Sequence, residues 1–423
     1  SRCRRRVVHP YVTDTVHDLQ SAVKSFASTL IGIAIDQGYI ESVAQPVLSF
    51  FPERTVANVD ADKESMTLED LLVMRSGLLC GSETDFAESA DWVQFILDQP
   101  MINEPGRAYD YCDLNFYLLS AIVGATTGMT EVDFAQENLF GPLDTGEVLW
   151  PVAPQEAARG ESYYAMTPYD MAKLGQVFLD GGVWADQQIV SSAWVQAATG
   201  PNDASYGYMW WLDVAGYYAT GVGGQEIWVV PELDMVVVMT GASGGGGTGA
   251  WGSGLMHSQI LPLAESATPL PANPDGTAGL EAAMRLAAAP VPIAPALPET
   301  AQRVDGRTFV VDTNPAGLEL VTLSFEGETD AVVSLGFAGG GQAEWPIGLD
   351  GTYRYFRGDS EFPSAATGWW ESDGVFVVQQ EEIGGVTKEL LTATFESDRI
   401  TLEIREFFMG PVGEATFTGR LEQ

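Results

Sequence analysis

Residues 21–40 read SAVKSFASTLIGIAIDQGYI, and this stretch decides how the first half of the chain folds. Its apolar residues recur at helical spacing and are dense enough for a helix that is buried on most sides, while Gly38 supplies a C-terminal stop. Ser21 and Lys24 are three positions apart, so a helix places both side chains on one face, one turn apart. The stretch therefore predicts a buried helix that presents a serine and a lysine together at its start.

A serine and a lysine in this arrangement have the elements of nucleophilic catalysis. A serine hydroxyl is a weak nucleophile until a neighbour takes its proton, and a lysine in an apolar, partly dehydrated site can be neutral enough to do so. The start of a helix also directs free backbone N–H groups at an anion that forms there. The flank of Lys24 is apolar, so we expect this lysine to be either paired or desolvated. The four-residue pattern is weak on its own, and a chance match at a surface lysine is the alternative.

A second segment, PGRAYDYCDLNFYLL at 105–119, contains Tyr111 just before a predicted helix at 114–126. A tyrosine hydroxyl near an ammonium can share proton transfer with a lysine, and Asp113 and Asn115 offer polar contacts nearby. The alternative interpretation treats three residues of the segment as packing aromatics: Tyr109, Tyr111 and Tyr117.

A third segment, ATGVGGQ at 219–225, lies between two predicted strands. Glycines let a strand edge approach a ligand closely and leave backbone N–H groups pointing outward. One such N–H, together with that of Ser21, would form an oxyanion hole. An ordinary glycine hairpin is the alternative.

Together these segments resemble the serine β-lactamase, DD-peptidase and esterase superfamily, whose pattern is S-x-x-K, then Y-x-N, then K-T-G or a variant. Ser21-Ala22-Val23-Lys24 matches the first element. Tyr111-Cys112-Asp113 has Asp in place of Asn, and Ala219-Thr220-Gly221 has Ala in place of Lys. The resemblance covers roughly residues 12–260 in family order, and it includes MTLEDLLVMRSGL, EPGRAYDY, LFGPL, AMTPYDMAKLGQVFLDGG and GGQEIWVVPELDMVVVMTG.

The resemblance implies that Ser21 attacks an ester or amide carbonyl, that Lys24 and Tyr111 move the protons, and that water hydrolyses the acyl-enzyme. The backbone N–H groups of Ser21 and Val222 would form the oxyanion hole. The residues that the resemblance implies for substrate binding are Asp113, Asn115, Gly221, Gly223 and Gln225.

Within the superfamily the chain is most similar to the class-C-like esterases, the D-aminopeptidases and the hydrolases of short nylon oligomers. The third element lacks the lysine that would bind a carboxylate, and Asp113 adds negative charge. We therefore rank ester or amide hydrolysis above β-lactamase or DD-peptidase activity. A catalytically inactive binding or scaffold protein with the same fold is a further alternative.

The pattern along the chain predicts an α+β protein of two domains. A capping box at Thr67 and Asp70 starts one helix, further helices are predicted at 88–98 and 168–180, and antiparallel strands at 206–214, 225–231 and 235–241. We predict a β-lactamase/transpeptidase-like domain, an antiparallel sheet flanked by helices, over 1–260. A Pro/Ala-rich linker with a short helix follows at 261–300, and an antiparallel barrel or sandwich of about eight strands at 301–423.

Members of the superfamily carry a helix and two strands before the serine helix, whereas twenty residues precede Ser21 here. Either the chain is truncated, or another segment, for example from a second copy in a homo-oligomer, completes the sheet. An uncovered strand at 234–240 would be an adhesive edge.

The chain has 58 acidic and 20 basic residues, a formal net charge of −38. Such a surface repels phosphate backbones and anionic lipid, which excludes nucleic acid and membrane surfaces as partners. No apolar run approaches the ~20 residues of a membrane span, and residues 1–10 lack the apolar core of a signal peptide. The resemblance favours the periplasm or the extracellular space. The expected partner is a small-molecule ester or amide, without a cofactor.

Other motifs are weaker. The elbow-like Gly241-Ala242-Ser243-Gly244-Gly245 is followed by a flexible glycine run where a helix is needed. Residues 60–64 begin like a calcium loop, but Ser65 stands where Gly is required. His9, His17 and His257 show no metal spacing, so no metal is expected. Three cysteines do not predict a disulfide framework, although they leave room for one bridge: Cys3, Cys80 and Cys112.

Overall fold

A computed structural model of the chain describes residues 15–80, 89–146, 148, 164–200, 205–241, 250–264, 271–288, 297–357, 362–407 and 411–422. Contacts divide the chain into two compact units, the first of Val16–Thr240 with Thr248–Thr268, and the second mainly of Pro269–Gln423. The boundary after Thr268 falls inside the segment 261–300, which the sequence predicts as a linker. The domain limits at 260 and 301 stay a prediction.

The first unit is rich in helices. Within the described residues they are α1 (Val23–Asp36), α2 (Ala61–Ser65), α3 (Leu68–Leu72), α4 (Trp92–Leu97), α5 (Asp113–Thr127), α6 (Glu131–Ala135), α7 (Pro168–Leu179), α8 (Ser192–Thr199) and α9 (Ala250–Leu255). The buried helix expected over 21–40 is α1, which is shorter at both ends. A 3-10 turn at Gln20–Ala22 precedes it, and Gly38, with φ of 79°, lies just beyond its end.

The helix starts follow the signals in the sequence. Thr67 accepts a hydrogen bond from the Asp70 N–H while the Asp70 carboxylate accepts one from the Thr67 N–H, so the predicted capping box of α3 is confirmed. Thr167 caps α7 through the Asp170 N–H, with Pro168 at the first helical position. The helices expected at 114–126 and 168–180 are present as α5 and α7, whereas the helix expected at 88–98 is shortened to α4.

The strands of the first unit form one four-stranded sheet and two short pairs. The short pairs are β1 (His17–Asp18) with β2 (Ala165–Met166) and β3 (Val183–Trp184) with β4 (Gln187–Gln188). The antiparallel sheet has the order β5 (Trp211–Asp213), β6 (Gly216–Gly221), β7 (Gln225–Val230), β8 (Met235–Met239). The strand expected over 206–214 is much shorter, because Met209 has a φ of 59° and interrupts the extended run.

Both faces of this sheet are covered. Ile227 and Val229 of β7 pack into the main core of the unit, which also contains α1 and α5. Trp228 and Val230 point to the opposite face and pack with Met256, from the segment that follows α9. Among the described residues β8 pairs with β7 alone, so its outer edge is the one at which the sequence predicts an adhesive strand.

The second unit is a β-barrel preceded by two helices, α10 (Pro274–Ala288) and α11 (Glu299–Val304). Its strands are β9 (Arg307–Val311), β10 (Leu318–Glu326), β11 (Asp330–Phe337), β12 (Gln342–Gly348), β13 (Arg354–Arg357), β14 (Pro363–Ser372), β15 (Val375–Glu382), β16 (Lys388–Glu396), β17 (Arg399–Phe407) and β18 (Pro411–Leu421). The sequence predicts about eight strands in this unit, whereas the described residues contain ten.

Strand pairing decides between the barrel and the sandwich. The sheet order is β12, β11, β10, β9, β18, β17, β16, β15, β14, and a parallel pairing of Gly348 with Thr367 joins β12 to β14. These nine strands therefore close into a barrel, with β13 added outside on β14. Ala331, Val333 and Leu335 alternate with more exposed residues on β11 and face the barrel core.

The predicted α+β class, an antiparallel sheet flanked by helices with a C-terminal antiparallel β domain, is confirmed. In the part of the chain that the structure describes, no helix has the length and hydropathy needed to cross a bilayer.

Candidate active site

The turn that carries Ser21 is held in an unusual backbone conformation. Gln20, the residue before it, has a φ of 50°, a left-handed conformation that costs a non-glycine residue on the order of 1–3 kcal/mol. The Asp18 carboxylate stabilises it twice, by accepting hydrogen bonds from the Gln20 backbone N–H at 2.9 Å and from its side-chain amide at 2.7 Å. The Asp18 carboxylate thus holds Gln20 in its left-handed conformation, directly before the half-buried Ser21 at the start of α1.

Lys24 lies one turn into the helix and reaches back to the serine. Its ammonium donates a hydrogen bond to Ser21 Oγ at 3.0 Å and forms an ion pair with Asp113 Oδ1 at 2.7 Å. The lysine side chain is only 5% exposed. The rings of Tyr111 and Phe116 lie 5.1 and 5.4 Å from its Nζ, within the range of cation–π attraction.

The electrostatic state of Lys24 follows from these neighbours. Burial disfavours its charged form, but Tyr111 and Asp113 outweigh burial, so the pKa of Lys24 lies above its usual range. The sequence leads us to expect a lysine that is paired or desolvated, and this one is both. In the resting protein its partners keep the ammonium charged.

The segment that contains Tyr111 and Asp113 lies against Lys24. Tyr111 and Asp113 flank Cys112, the N-cap residue of α5, and both contact Lys24. The packing interpretation fits Tyr117, which is 5% exposed. Tyr111 is half-buried, and its ring stacks against Trp211 of β5 at a centroid distance of 6.0 Å. Tyr111 therefore combines packing with contact to Lys24.

The third segment lies against the serine turn. A Cβ placed on Gly221 would lie 2.2 Å from the Leu19 carbonyl oxygen and 3.1 Å from the Ser21 backbone nitrogen, so a larger residue does not fit. Beyond Gly221 the chain turns through residues 222–224 into β7. The Gln225 side-chain amide donates to the Val222 carbonyl at 3.5 Å across this turn. The segment is a β-hairpin, and its Gly221 packs against the serine turn, while the oxyanion hole stays a prediction.

Three residues expected to bind substrate have internal partners. Asn115 is fully buried in α5, and its side-chain amide donates to the sulfur of Met74. Gln225 is 1% exposed and supports the β6–β7 turn. Asp113 is the ion-pair partner of Lys24. Both Asn115 and Gln225 are buried in this structure, and substrate binding by these residues stays a prediction.

The rival motifs gain no support. Ser243 of the elbow-like segment lies outside the described residues. Asp60 caps α2 by accepting from the Lys63 N–H, so the segment that begins like a calcium loop is a helix start. His257, in the segment that follows α9, has its Nε2 atom 3.1 Å from the carboxylate of Asp213 in β5. Among the described residues, no three His, Cys, Asp or Glu side chains are grouped closely enough to hold a metal ion.

The sequence interpretation missed one feature of the site and left a second one open. One is the pair of Asp18 and Gln20, for which the signal is an acidic residue two positions before the turn, a spacing typical of side-chain to backbone bonds. The other is a disulfide between Cys80 and Cys112. A cysteine inside the Tyr111–Asp113 element was the signal for this bridge.

Comparison with known proteins supplies an independent line of evidence. A family model described as Beta-lactamase matches residues 3–250. The 6-aminohexanoate-dimer hydrolase of Paenarthrobacter ureafaciens is 27% identical over 262 residues, which are 54% of this chain and 66% of that protein. The D-aminopeptidase of Brucella anthropi is 26% identical over 136 residues, 31% of this chain and 26% of that protein.

These matches cover relatives only in part. The chain spans about two thirds of the first relative and about a quarter of the second. Among solved structures, a penicillin-binding protein homologue from Caulobacter crescentus superposes with a TM-score of 0.43 at 18% identity, over 54% of this chain and 78% of its own. The assignment to a family comes from the sequence match over residues 3–250.

Proposed function

Because the chain belongs to the beta-lactamase family, we propose that it is a serine hydrolase that cleaves an ester or amide bond through an acyl-enzyme on Ser21. Its relatives include hydrolases, which supports hydrolase activity in general. The choice of Ser21 as nucleophile and the acyl-enzyme are the parts that we add.

One observation carries the proposal. The Ser21 hydroxyl, the Lys24 ammonium and the Asp113 carboxylate form a continuous chain with contacts of 3.0 and 2.7 Å. Nucleophile, base and the group that orients the base are the parts that covalent catalysis requires within hydrogen-bond reach. Ser21 is only half-buried, so the residue that carries the hydroxyl is partly accessible from solution.

The proposed reaction begins with the small fraction of Lys24 that is neutral. Neutral Lys24 takes the Ser21 proton as Oγ attacks the substrate carbonyl carbon, and the carbonyl oxygen becomes an anion. The backbone N–H groups of Ser21 and Val222 would stabilise this oxyanion, since Gly221 brings the β6 end against the serine turn. Lys24 and Tyr111 then deliver a proton to the leaving group, and water hydrolyses the acyl-enzyme by the reverse transfers.

The charges around the site favour a substrate without a carboxylate near the scissile bond. Ala219 stands where the family motif has lysine, and Asp113 is negative. We therefore propose uncharged or cationic esters and amides ahead of β-lactams and of peptides with a free C-terminus. Two relatives are named for hydrolysis of a 6-aminohexanoate dimer and for D-aminopeptidase activity, which makes amides an essential part of any test.

The test compares wild-type protein with Ser21→Ala on p-nitrophenyl esters, D-amino acid amides and nitrocefin. We expect hydrolysis of at least one ester or amide by the wild type, a pre-steady-state burst of p-nitrophenol, and loss of both in Ser21→Ala. Ser28→Ala, which alters a buried serine on the same helix, is the matched control and should retain the burst. Turnover that survives Ser21→Ala would contradict the proposal, and no turnover of any substrate would favour the scaffold alternative.

A further inference from the structure

A disulfide bridge is built into the candidate active site. Cys80 and Cys112 are joined with a Cα–Cα distance of 5.7 Å across 32 positions of sequence. The two ends differ in environment, because Cys112 is 2% exposed whereas Cys80 lies at the surface. A reductant in solution can therefore reach the bridge from the Cys80 side.

The buried end of the bridge lies between two residues that contact Lys24. Cys112 is flanked by Tyr111 and Asp113, so the covalent link fixes the backbone between the two residues whose side chains contact Lys24. Cys112 is also the N-cap of α5 and has no side-chain capping bond. The disulfide thus fixes a helix start that an ordinary cap does not fix.

Backbone hydrogen bonds attach the chain on the N-terminal side of both cysteines. The Leu79 N–H donates to the Pro100 carbonyl at 2.9 Å, and the Asp110 N–H donates to the Met74 carbonyl at 2.9 Å. These bonds hold the segments 74–80 and 100–110 together just before each cysteine. Beyond Asp110, the disulfide adds a covalent attachment of Cys112 to Cys80, beside the Asn115–Met74 hydrogen bond and the Lys24–Asp113 ion pair.

We propose that the Cys80–Cys112 disulfide is a positioning element of the active site, which holds Tyr111 and Asp113 against Lys24 and whose reduction slows the acylation of Ser21. The inference rests on the proposed function. It also implies that the protein works in an oxidising compartment, where such a bridge persists.

The redox step is a thiol–disulfide exchange with a dithiol. A thiolate of the dithiol attacks the sulfur of Cys80, the exposed residue of the pair, the Cys80–Cys112 bond breaks, and Cys112 leaves as a thiolate that takes a proton. The second thiol of the reagent, as its thiolate, then attacks the reagent's first sulfur, which is bonded to Cys80 in the mixed disulfide. This releases Cys80 as a thiolate, which is protonated in turn. Two electrons pass to the protein, which gains two thiols, and the reagent leaves as a cyclic disulfide.

The test measures acylation directly. Wild-type protein is labelled with a fluorophosphonate probe before reduction, after reduction with dithiothreitol, and after reoxidation, while released thiols are counted. Cys3→Ser, which keeps the bridge, is the control for the remaining cysteine, and the double variant Cys80→Ser/Cys112→Ser lacks the bridge in every condition. Circular dichroism at the assay temperature monitors folding of each sample.

We expect reduction to lower the labelling rate constant about tenfold or more in wild type and Cys3→Ser, as a displacement of reacting groups by a fraction of an ångström does. The amplitude should stay at one label per chain, and reoxidation should restore the rate. The double variant should be slow with and without reductant. An unchanged rate once two thiols are released, or a loss of amplitude alone, overturns the inference. Absence of Ser21 labelling in the oxidised protein overturns the proposed function itself, and with it this inference.

Discussion

At the level of single residues, the charge on Lys24 governs the chemistry. A lysine that accepts a proton from serine must be neutral when the substrate is attacked, yet Tyr111 and Asp113 hold the pKa of Lys24 above its usual range. The active form is therefore the minor one at neutral pH. We expect the rate of acylation to rise with pH up to the stability limit of the protein.

Asp113→Asn tests this relation. The substitution keeps the shape of the side chain but removes the negative charge that lies 2.7 Å from the ammonium. The pKa of Lys24 should fall, and the rising limb of the pH profile of kcat/KM should move to lower pH by roughly one unit or more. Stopped-flow measurement of kcat/KM with a p-nitrophenyl ester over several pH values locates this rising limb.

Asp110→Asn is the matched control, because it removes the same charge at an exposed position three residues earlier. Its pH profile should coincide with that of the wild type. A limb that stays in place in Asp113→Asn would show that the charge on Lys24 does not limit acylation.

Sequence alone predicted the residues of this site better than their states. The spacing of Ser21 and Lys24 gave their contact, because three positions on a helix leave little choice of geometry. The ion pair with Asp113 joins residues 89 positions apart, and local sequence carries no information on such a distance. The burial of Asn115 was likewise not predictable from local sequence, because it depends on what the rest of the chain packs against its helix.

At the level of elements, the end of β6 and the serine turn form one unit. Gly221 is the residue at which they touch, and the space for a side chain there is filled by the Leu19 carbonyl and the Ser21 backbone. The strained Gln20 belongs to the same turn. A disturbance at the strand end should therefore reach the nucleophile directly.

Gly221→Ala should lower kcat/KM about 100-fold or more. The new methyl group would lie 2.2 Å from the Leu19 carbonyl oxygen, so the turn and Ser21 must move, and small displacements of reacting groups have effects of this size. Ester hydrolysis and thermal unfolding are measured on the same samples.

Gly254→Ala in α9 is the control, because a Cβ there meets nothing within 4 Å. It should keep the activity and leave stability equal or slightly higher. Equal activity of Gly221→Ala and wild type would contradict the claim that the end of β6 positions the serine turn.

Helix starts with a local signal were predicted well, and elements set by distant contacts were not. The Thr67 capping box depends on residues three apart, which a sequence pattern contains. The interruption of the 206–214 strand depends on Met209, whose left-handed backbone donates to the Leu72 carbonyl 137 positions away. The closure of the barrel likewise depends on a single pairing of β12 with β14.

At the level of the whole molecule, the net charge of −38 and several buried carboxyls make stability depend on pH. Glu131 is 3% exposed, and burial raises its pKa to about 7, against hydrogen bonds from Ser120 and Tyr164 that lower it. Since the folded pKa lies above the usual 4.5, the contribution of Glu131 to stability is complete below pH 4.5 and is lost as pH rises to about 7.

Glu131→Gln should therefore be more stable than wild type at pH 8 and similar to it near pH 4.5. The shift from 4.5 to about 7 corresponds to about 3 kcal/mol in the free energy of unfolding, as an upper bound for the difference at pH 8. Thermal unfolding at both pH values measures it. Glu137→Gln, at an exposed position nearby, controls for the loss of one charge, and a stabilisation of Glu131→Gln that is equal at both pH values would contradict the assignment.

The central claim is that Ser21 becomes acylated. The most direct measurement is an acid quench during turnover of a p-nitrophenyl ester, followed by mass spectrometry of the intact chain and of its peptides. We predict one acyl group per chain, located on Ser21 and missing in Ser21→Ala. An acyl group on Ser243 or on any other residue, or turnover without a covalent adduct, would contradict the account.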